Sequence, residues 1–251
     1  MNRDSGQHRW VSALPVAAMF LTRLPIRAPQ TTLSGAVAAF PLVGLAVGAL
    51  GGGAYWLALL VGLPPLACAF AAVGATVLTT GALHEDGLAD MADGMAGRTP
   101  DDAIAIMRDS RTGGYGVLAM IFSVGLRVSA IAALGDPLVV AAAMTSAGAL
   151  SRAAMPVPMR WMRTASGSGL AASAGRPETL DVFLGLFIAV FLTLILAGAS
   201  AMPAMAGAAA FAAYGIAALA HRRLRGYTGD CLGAVQQAAE IAALLALAAV
   251  M

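Results

Sequence analysis

Lysine is missing from this chain of 251 residues, so all 15 of its basic residues are arginine. Charged residues make up only 11% of the sequence and aromatic residues only 6%. The arginines are scattered in short polar segments, which excludes the basic stripe expected of a nucleic-acid-binding protein. The two cysteines, Cys68 in an apolar run and Cys231 in a polar loop, have the spacing of neither a metal site nor a disulfide framework.

Apolar residues take the place of the missing charge. They account for 59% of the chain, and a mean hydropathy of +0.81 is too high for an ordinary soluble domain. We therefore predict an all-α fold: a polytopic membrane bundle of about seven transmembrane helices with an N-terminal interfacial helix. The length of 251 residues fits a single integral-membrane catalytic domain covering 1–251.

Seven apolar segments approach the roughly 20 residues that a helix needs to cross a bilayer. They lie near 35–62, 66–83, 116–135, 138–157, 180–200, 203–221 and 234–251. The arginine-rich segment 1–34 is predicted to be cytoplasmic and interfacial. Alternation then places 84–115, 158–179 and 222–233 on the cytoplasmic side, and no arginine falls in an outer turn. The segment 84–115 is the predicted active-site segment.

Two local patterns predict structure. Gly44, Gly48 and Gly52 recur every fourth residue and give one helix a flat face for close contact with a neighbour. The sequence Thr-Pro-Asp-Asp at 99–102 is typical of a helix start, with Thr99 as its N-cap. We therefore expect the two aspartates of this sequence to stabilise a helix start rather than to act in catalysis.

Acidic residues are concentrated in one stretch, because seven of the 13 fall within residues 85–109. On a helix with about 100° per residue, Asp86, Asp90 and Asp93 share one face, whereas Glu85 points to one side. Three like charges on one face favour a bound hard cation. Mg²⁺ fits best, since it accepts a few carboxylates and completes its shell with water and phosphate oxygens. A solvated acidic loop between two spans is the alternative.

A second polar motif covers 108–116 and combines guanidinium groups, hydroxyls and glycines, which suits an anionic phosphate ligand. A cationic anchor at the membrane edge is the alternative. Within the spans, Arg127, Arg152 and Glu240 are costly in hydrocarbon and should face the bundle interior or a polar cavity, although Arg152 has the alternative of reaching the membrane edge. The predicted substrate-binding residues are His84, Arg108, Asp109, Ser110, Arg111, Tyr115 and Arg152.

A third polar motif, at 226–233, precedes the last span and contains Asp230. Its glycines and its aspartate have an alternative interpretation as a turn and a helix cap. Grouped carboxylates, adjacent arginines and a cytoplasmic membrane edge together favour phosphoryl transfer from a nucleotide-activated donor. A carboxylate that is not fully committed to metal would take the proton from an attacking hydroxyl, and Asp93 and Asp230 are both candidates for this catalytic role.

The three motifs carry a resemblance to a known family. The runs 84–94 and 106–118 resemble those of cobalamin synthase, the adenosylcobinamide-GDP ribazoletransferase family. The segment 228–234 is similar to the closing motif of that family, and Thr-Arg-Leu-Pro at 22–25 is similar to its N-terminal signature. The resemblance therefore spans essentially the whole chain.

The resemblance implies a multi-pass enzyme of the bacterial inner membrane with its active site facing the cytoplasm. Such an enzyme joins adenosylcobinamide-GDP to α-ribazole or its 5′-phosphate, releases GMP, and requires Mg²⁺. By the same resemblance, Asp86, Asp90 and Asp93 are metal- or diphosphate-binding positions, and Glu85 joins them as a metal ligand. A second copy of the chain and other enzymes of the cobalamin pathway are candidate protein partners.

Two other functions compete with this one. A CDP-alcohol phosphotransferase also binds a nucleotide diphosphate through spaced aspartates, but its Ala-Arg element is missing after Asp86-Gly87. An ion-coupled transporter would place carboxylates near the membrane midplane within an inverted repeat, whereas the acids here cluster at one membrane edge.

Overall fold

Helices account for all the regular structure in the described part of the chain, which a computed structural model gives as residues 4–28, 32–166 and 169–251. The predicted N-terminal segment 1–34 therefore lies partly outside the described residues. The α-helices are α1 (Asp4–Leu21), α2 (Phe40–Leu60), α3 (Pro65–Thr80), α4 (Leu83–Gly94), α5 (Pro100–Met107), α6 (Gly114–Leu134), α7 (Pro137–Ala154), α8 (Pro156–Trp161), α9 (Leu170–Ser173), α10 (Thr179–Leu224) and α11 (Gly229–Val250).

Five helical stretches among the described residues are long and apolar enough to cross a membrane. They are Val37–Leu60, Gly114–Leu134, Pro137–Trp161, Thr179–Leu224 and Gly229–Val250. The pair formed by α3 and α4 would add a sixth, but the two helices are bent by 89° with respect to each other. The prediction of an all-α multi-pass membrane bundle is confirmed.

The longest helix, α10, contains a break that divides it into two parts. Its 46 residues would extend about 69 Å as one straight helix, roughly twice the thickness of a bilayer core. Gly198 has φ +84° and ψ 168°, which no α-helix contains. Ala189 before the break and Met205 after it are both buried in the same apolar core. The two parts match the predicted spans 180–200 and 203–221, so α10 corresponds to two of the seven predicted segments.

The bend between α3 and α4 determines where the acidic stretch lies. Gly81 and Ala82 both have left-handed backbone conformations, with φ +65° and +58°. This turn directs the 12-residue α4 across the end of the bundle instead of along α3. At 12 residues, α4 by itself is too short to be a membrane-spanning helix.

The arginine-bearing segments contact one another at one end of the bundle. Arg223 donates hydrogen bonds to the carbonyls of Met95 (2.6 Å) and Gly97 (3.0 Å). Arg163 donates from Nε to the Arg225 carbonyl at 2.7 Å, which joins the segment after α8 to the end of α10. These contacts agree with the predicted grouping of the polar loops on one side.

The glycine face of α2 packs directly on α7, as the four-residue spacing predicted. A Cβ at Gly44 or Gly48 would collide with the α7 backbone at Gly148 or Thr145, and one at Gly52 would lie 2.8 Å from the Ala141 Cα. The two backbones are therefore in contact, which is typical of membrane helices that meet through small residues.

The predicted start of α5 is also confirmed. The Thr99 hydroxyl accepts a hydrogen bond from the Asp102 amide (3.1 Å), and the Asp102 carboxylate accepts one from the Thr99 amide (3.2 Å). This reciprocal arrangement is a capping box with Pro100 in the first turn. Asp102 therefore has a structural role.

Replacing Gly48 with alanine should destabilise the bundle, because the new methyl group would lie 2.7 Å from the Thr145 Cα. Overpacking of this kind typically costs about 1–3 kcal/mol. Gly53→Ala is the matched control, since a Cβ there meets nothing within 4 Å. The thermal midpoint of detergent-solubilised protein should fall for Gly48→Ala only; equal midpoints would contradict the close packing of α2 on α7.

Candidate active site

A contact between two glycines brings the third polar motif to the acidic helix. A Cβ at Gly87 of α4 would lie 2.9 Å from the carbonyl oxygen and 3.0 Å from the Cα of Asp230. A Cβ at Gly233 of α11 would lie 3.3 Å from the Cα of Gly87. The backbones of α4 and α11 therefore touch, and Asp230 lies beside the acidic face of α4 although more than 130 residues separate the two motifs in sequence.

Carboxylates concentrate at this contact. Asp86 is exposed and Asp90 is half-buried. Partial burial, followed by the negative charges of Asp86, Asp230 and Asp93, raises the pKa of Asp90 to about 6. The predicted acidic face thus exists, and Asp230 adds a further carboxylate to it.

Asp93 also accepts two backbone hydrogen bonds, which the sequence did not predict. Its Oδ2 accepts a hydrogen bond from the Gly113 amide at 2.6 Å, and its Oδ1 accepts one from the Gly116 amide at 2.9 Å. These amides belong to the N-terminus of α6, where unpaired N–H groups and the helix dipole favour a negative charge. Asp93 therefore anchors α4 to the start of α6.

Glu85 points into the bundle, away from the aspartate face. Its Oε1 accepts hydrogen bonds from Arg127 Nη2 at 2.9 Å and from Gln237 Nε2 at 3.1 Å. The side chain is 6% exposed. The structure therefore separates Glu85 from the other three predicted metal ligands, as its offset around the helix suggested.

Arg127, Arg152, Glu85 and Glu240 form a buried cluster of two positive and two negative charges. Arg127 Nη1 lies 3.5 Å from Glu240 Oε1, and Arg152 pairs with the other oxygen of Glu240. Gln237 accepts a hydrogen bond from Ser123 at 2.6 Å on the edge of this cluster. The charges in the spans thus face the bundle interior, as predicted, and Arg152 lies in this cluster.

His84 is 1% exposed, and neither of its ring nitrogens has a hydrogen-bond partner among the described residues. It is adjacent in sequence to Glu85 and lines an apolar cavity together with Asp86 and Asp230. Buried polar atoms without partners are uncommon in native proteins. His84 therefore has unused hydrogen-bonding capacity close to the carboxylates.

The predicted phosphate-binding segment is mostly exposed. Asp109 accepts hydrogen bonds from the Arg111 guanidinium (2.7 Å) and the Arg111 amide (3.0 Å), and these bonds lower the pKa of Asp109 to about 2. Ser110 and Tyr115 are exposed. Arg108 differs from them, because it lines a cavity shared with Asp230.

Two cavities meet at Asp230. The apolar cavity has a volume of about 180 Å³, and a more polar one of about 320 Å³ contains Arg108, Ser166 and Thr228. Both are lined by Gly229 and Asp230 at the start of α11. Thr228 is the N-cap of that helix and accepts a hydrogen bond from the Cys231 amide at 3.3 Å. Asp230 is therefore not the cap. Its Oδ2 accepts a hydrogen bond from the Thr228 hydroxyl at 3.2 Å, and the residue lines both cavities.

Mg²⁺ would need oxygen ligands from the substrate in order to bind at this site. Among the described residues, no three His, Cys, Asp or Glu side chains lie close enough together to hold a metal ion by themselves. Mg²⁺ is usually bound by one or two carboxylates, with water and substrate phosphates completing its shell. Asp86 and Asp90 are carboxylates of mutually repelling charge that remain open to solvent, so the donor set fits that mode of binding.

Sequence reasoning missed the two cavities and the role of Thr228. The N-cap role of Thr228 could have been predicted from the sequence, because a threonine three residues before a helical amide is a common N-cap. The cavities had no such sequence signal, since the apolar one arises where α1, α4, α9 and α11 meet in space and the polar one where α5, α9 and α11 meet.

The fold and the site define a helical membrane protein whose carboxylates converge at the arginine-rich end of the bundle. The model of the cobalamin-5-phosphate synthase family matches residues 13–248, and the chain belongs to that family.

Three relatives are named adenosylcobinamide-GDP ribazoletransferase. The protein of Bradyrhizobium diazoefficiens is 42% identical over 95% of this chain and 94% of its own length. Those of Allorhizobium ampelinum and a Sinorhizobium species are 43% and 44% identical, each over 91% of this chain and 93% of the relative. No solved structure matches the chain.

Removing the central arginine of the buried cluster should destabilise the protein. In Arg127→Met, Glu85 and Glu240 lose a shared cation, and breaking a buried ion pair typically costs about 3–5 kcal/mol. We expect a lower thermal midpoint in detergent and less folded protein. Arg111→Met is the control, because that side chain is 87% exposed and pairs with Asp109 at the surface. A control as unstable as Arg127→Met would contradict a special role for the cluster.

Proposed function

We propose that this chain is an adenosylcobinamide-GDP ribazoletransferase that joins adenosylcobinamide-GDP to α-ribazole or its 5′-phosphate and releases GMP. The names of relatives 42–44% identical over at least 91% of the chain support this activity. The observation that carries it is the convergence of Asp86 and Asp90 with Asp230, a residue that lines two cavities, because a two-substrate transfer needs room for both ligands beside its charged centre.

Asp86 and Asp90 are the residues that would hold Mg²⁺. When bound, the metal neutralises the diphosphate of the nucleotide-activated substrate and stabilises charge on the leaving GMP. Asp93 supports this pair from the same helix face, while its hydrogen bonds to the Gly113 and Gly116 amides keep the helix in place. Glu85 holds α4 from its opposite side through Arg127.

Asp230 is the general base in this proposal. In the transfer, a ribose hydroxyl oxygen of α-ribazole forms a bond to the phosphorus attached to cobinamide, and the bond from that phosphorus to the GMP oxygen breaks. The hydroxyl proton passes to the Asp230 carboxylate. Asp230 suits this role better than Asp93, because both oxygens of Asp93 already accept backbone hydrogen bonds whereas Asp230 lines both cavities.

The remaining predicted substrate-binding residues lie in three different places. Arg108 lines the polar cavity next to Asp230, where a guanidinium group would bind phosphate oxygens. Asp109, Ser110, Arg111 and Tyr115 form an exposed rim that is accessible to a large corrinoid. Arg152 lies in the buried charge cluster and supports the site from within the bundle.

The proposal includes an inner-membrane location with the site facing the cytoplasm. The grouping of arginines at the site end of the bundle supports this orientation, because positive residues are retained on the cytoplasmic side. A homo-oligomer and docking with other cobalamin-pathway enzymes stay predictions.

The direct experiment supplies membranes containing this protein with adenosylcobinamide-GDP and α-ribazole, with Mg²⁺ or with excess chelator. We expect GMP release matched by formation of a cobalamin, both lost with chelator and restored by added Mg²⁺. Membranes without the protein are the control. Folded, inserted protein that yields no product would refute the proposal, and CDP-alcohol donors would be tested next.

Asp90→Asn should lower activity by orders of magnitude while membrane insertion persists, because the change removes one charge without altering the side-chain shape. Asp101→Asn is the matched control, an exposed aspartate in the first turn of α5 whose loss should affect the helix start only slightly. GMP release from equal amounts of inserted protein makes the comparison. Full activity in Asp90→Asn would remove this residue from the metal site.

A further inference from the structure

The apolar cavity beside the carboxylates is lined by two kinds of side chain. Most are apolar: Phe20, Leu33, Leu83, Met155, Ala171, Ala174 and Leu232. His84, Asp86 and Asp230 add polar groups to the lining. A ligand that fills this space therefore has an apolar body and a polar end that reaches the carboxylates.

The second cavity has a more polar lining and shares Gly229 and Asp230 with the first. Arg108, Ser166 and Thr228 supply a cationic group and two hydroxyls to its lining. These groups suit a phosphate-bearing substrate. Because Gly229 and Asp230 line both cavities, the two ligands would meet at the Asp230 carboxylate.

We propose that the apolar cavity binds the aromatic base of the acceptor nucleoside and places its ribose at Asp230. This inference rests on the proposed function, which supplies α-ribazole as one of the two substrates. The base of α-ribazole is a dimethylbenzimidazole, a flat and almost wholly apolar group, and its ribose carries the hydroxyls. The ligand thus combines an apolar part with a polar part, as the lining of the cavity does.

The other parts of the substrates fit this cavity poorly. A corrin ring is far larger than a space of about 180 Å³. Guanine carries several hydrogen-bonding groups around its edge, and the seven apolar side chains of the lining would leave those groups without partners at a substantial cost. The guanosine diphosphate and corrin parts are therefore assigned to the polar cavity and the exposed rim.

His84 gives the cavity a means of recognising the base. A benzimidazole joined to ribose through one nitrogen keeps a second nitrogen with a free lone pair. Neutral histidine has one N–H donor, and neither ring nitrogen of His84 has a partner among the described residues. A hydrogen bond from His84 to the base would satisfy a buried polar atom on each side.

The test fills the cavity without touching the carboxylates. Ala174 lines the apolar cavity and is 5% exposed, so Ala174→Phe would place a ring in the space for the base. Ala172 lies two residues earlier, within α9, is exposed and lines neither cavity, so Ala172→Phe is the matched control. The readouts are the Kd of α-ribazole for the detergent-solubilised protein in the absence of corrinoid, and the KM of each substrate during turnover.

For Ala174→Phe we expect the Kd and KM of α-ribazole to rise at least tenfold, while the KM of adenosylcobinamide-GDP stays within twofold. Ala172→Phe should leave all three values unchanged. Unchanged α-ribazole values in Ala174→Phe, or a rise confined to the corrinoid substrate, would overturn the assignment of the cavity.

A second variant provides a gain that misfolding cannot produce. Leu83→Ala enlarges the cavity, so this variant should bind a nucleoside with a larger naphthimidazole base more tightly than the unmodified protein does. If Ala174→Phe is unfolded and Leu83→Ala shows no such gain, the assignment of the cavity is refuted.

The measurements distinguish failure of the transferase proposal from failure of the cavity assignment. Nucleoside binding that responds to these variants without any GMP release would refute the transferase activity alone, whereas turnover that is indifferent to them would refute the cavity assignment alone.

Discussion

Two arginines and two glutamates inside an apolar bundle form the interaction on which the rest of the structure depends. Glu85, Arg127, Arg152 and Glu240 come from α4, α6, α7 and α11 in that order, and their formal charges cancel. An unpaired charge in hydrocarbon is costly. Rotation of any one of the four helices would break its ion pair and leave a charge on another helix unpaired. Apolar packing has no comparable direction. The cluster therefore gives a bundle made largely of small apolar residues one preferred arrangement.

The acidic helix gains its position from that arrangement. Three contacts hold α4: Glu85 pairs with Arg127, Asp93 accepts two amides of α6, and Gly87 touches α11. The helix turns away from α3 at a backbone bend and so presents its other face at the end of the bundle. These contacts oppose the repulsion between the carboxylates on the exposed face. Rigid support of this kind keeps charged groups in a productive geometry before a substrate binds.

Periodicity and composition predicted the features that depend on neighbours in sequence. Apolar runs gave the spans, the Thr99 pattern gave the start of α5, and the four-residue glycine spacing gave the face of α2 that meets α7. The features that the sequence did not reveal join distant segments. The engagement of Asp93 with α6 and the position of Asp230 beside α4 arise from tertiary packing, and a carboxylate looks the same in sequence whether it binds an amide, an arginine or a metal. The cavities are spaces between helices, so no single stretch encodes them.

The contact between Gly87 and Gly233 bears on how the site tolerates motion. Side chains usually separate two helices, and their rotations let the gap between the backbones widen and narrow. Here a Cβ at either glycine would lie about 3 Å from the opposing backbone, so no side chain is available to act as a flexible spacer. The glycine contact therefore fixes the separation of the two backbones that carry these carboxylates, on α4 and on α11. Changes of rotamer at the aspartates can redirect each carboxylate, but they do not require the two backbones to move apart.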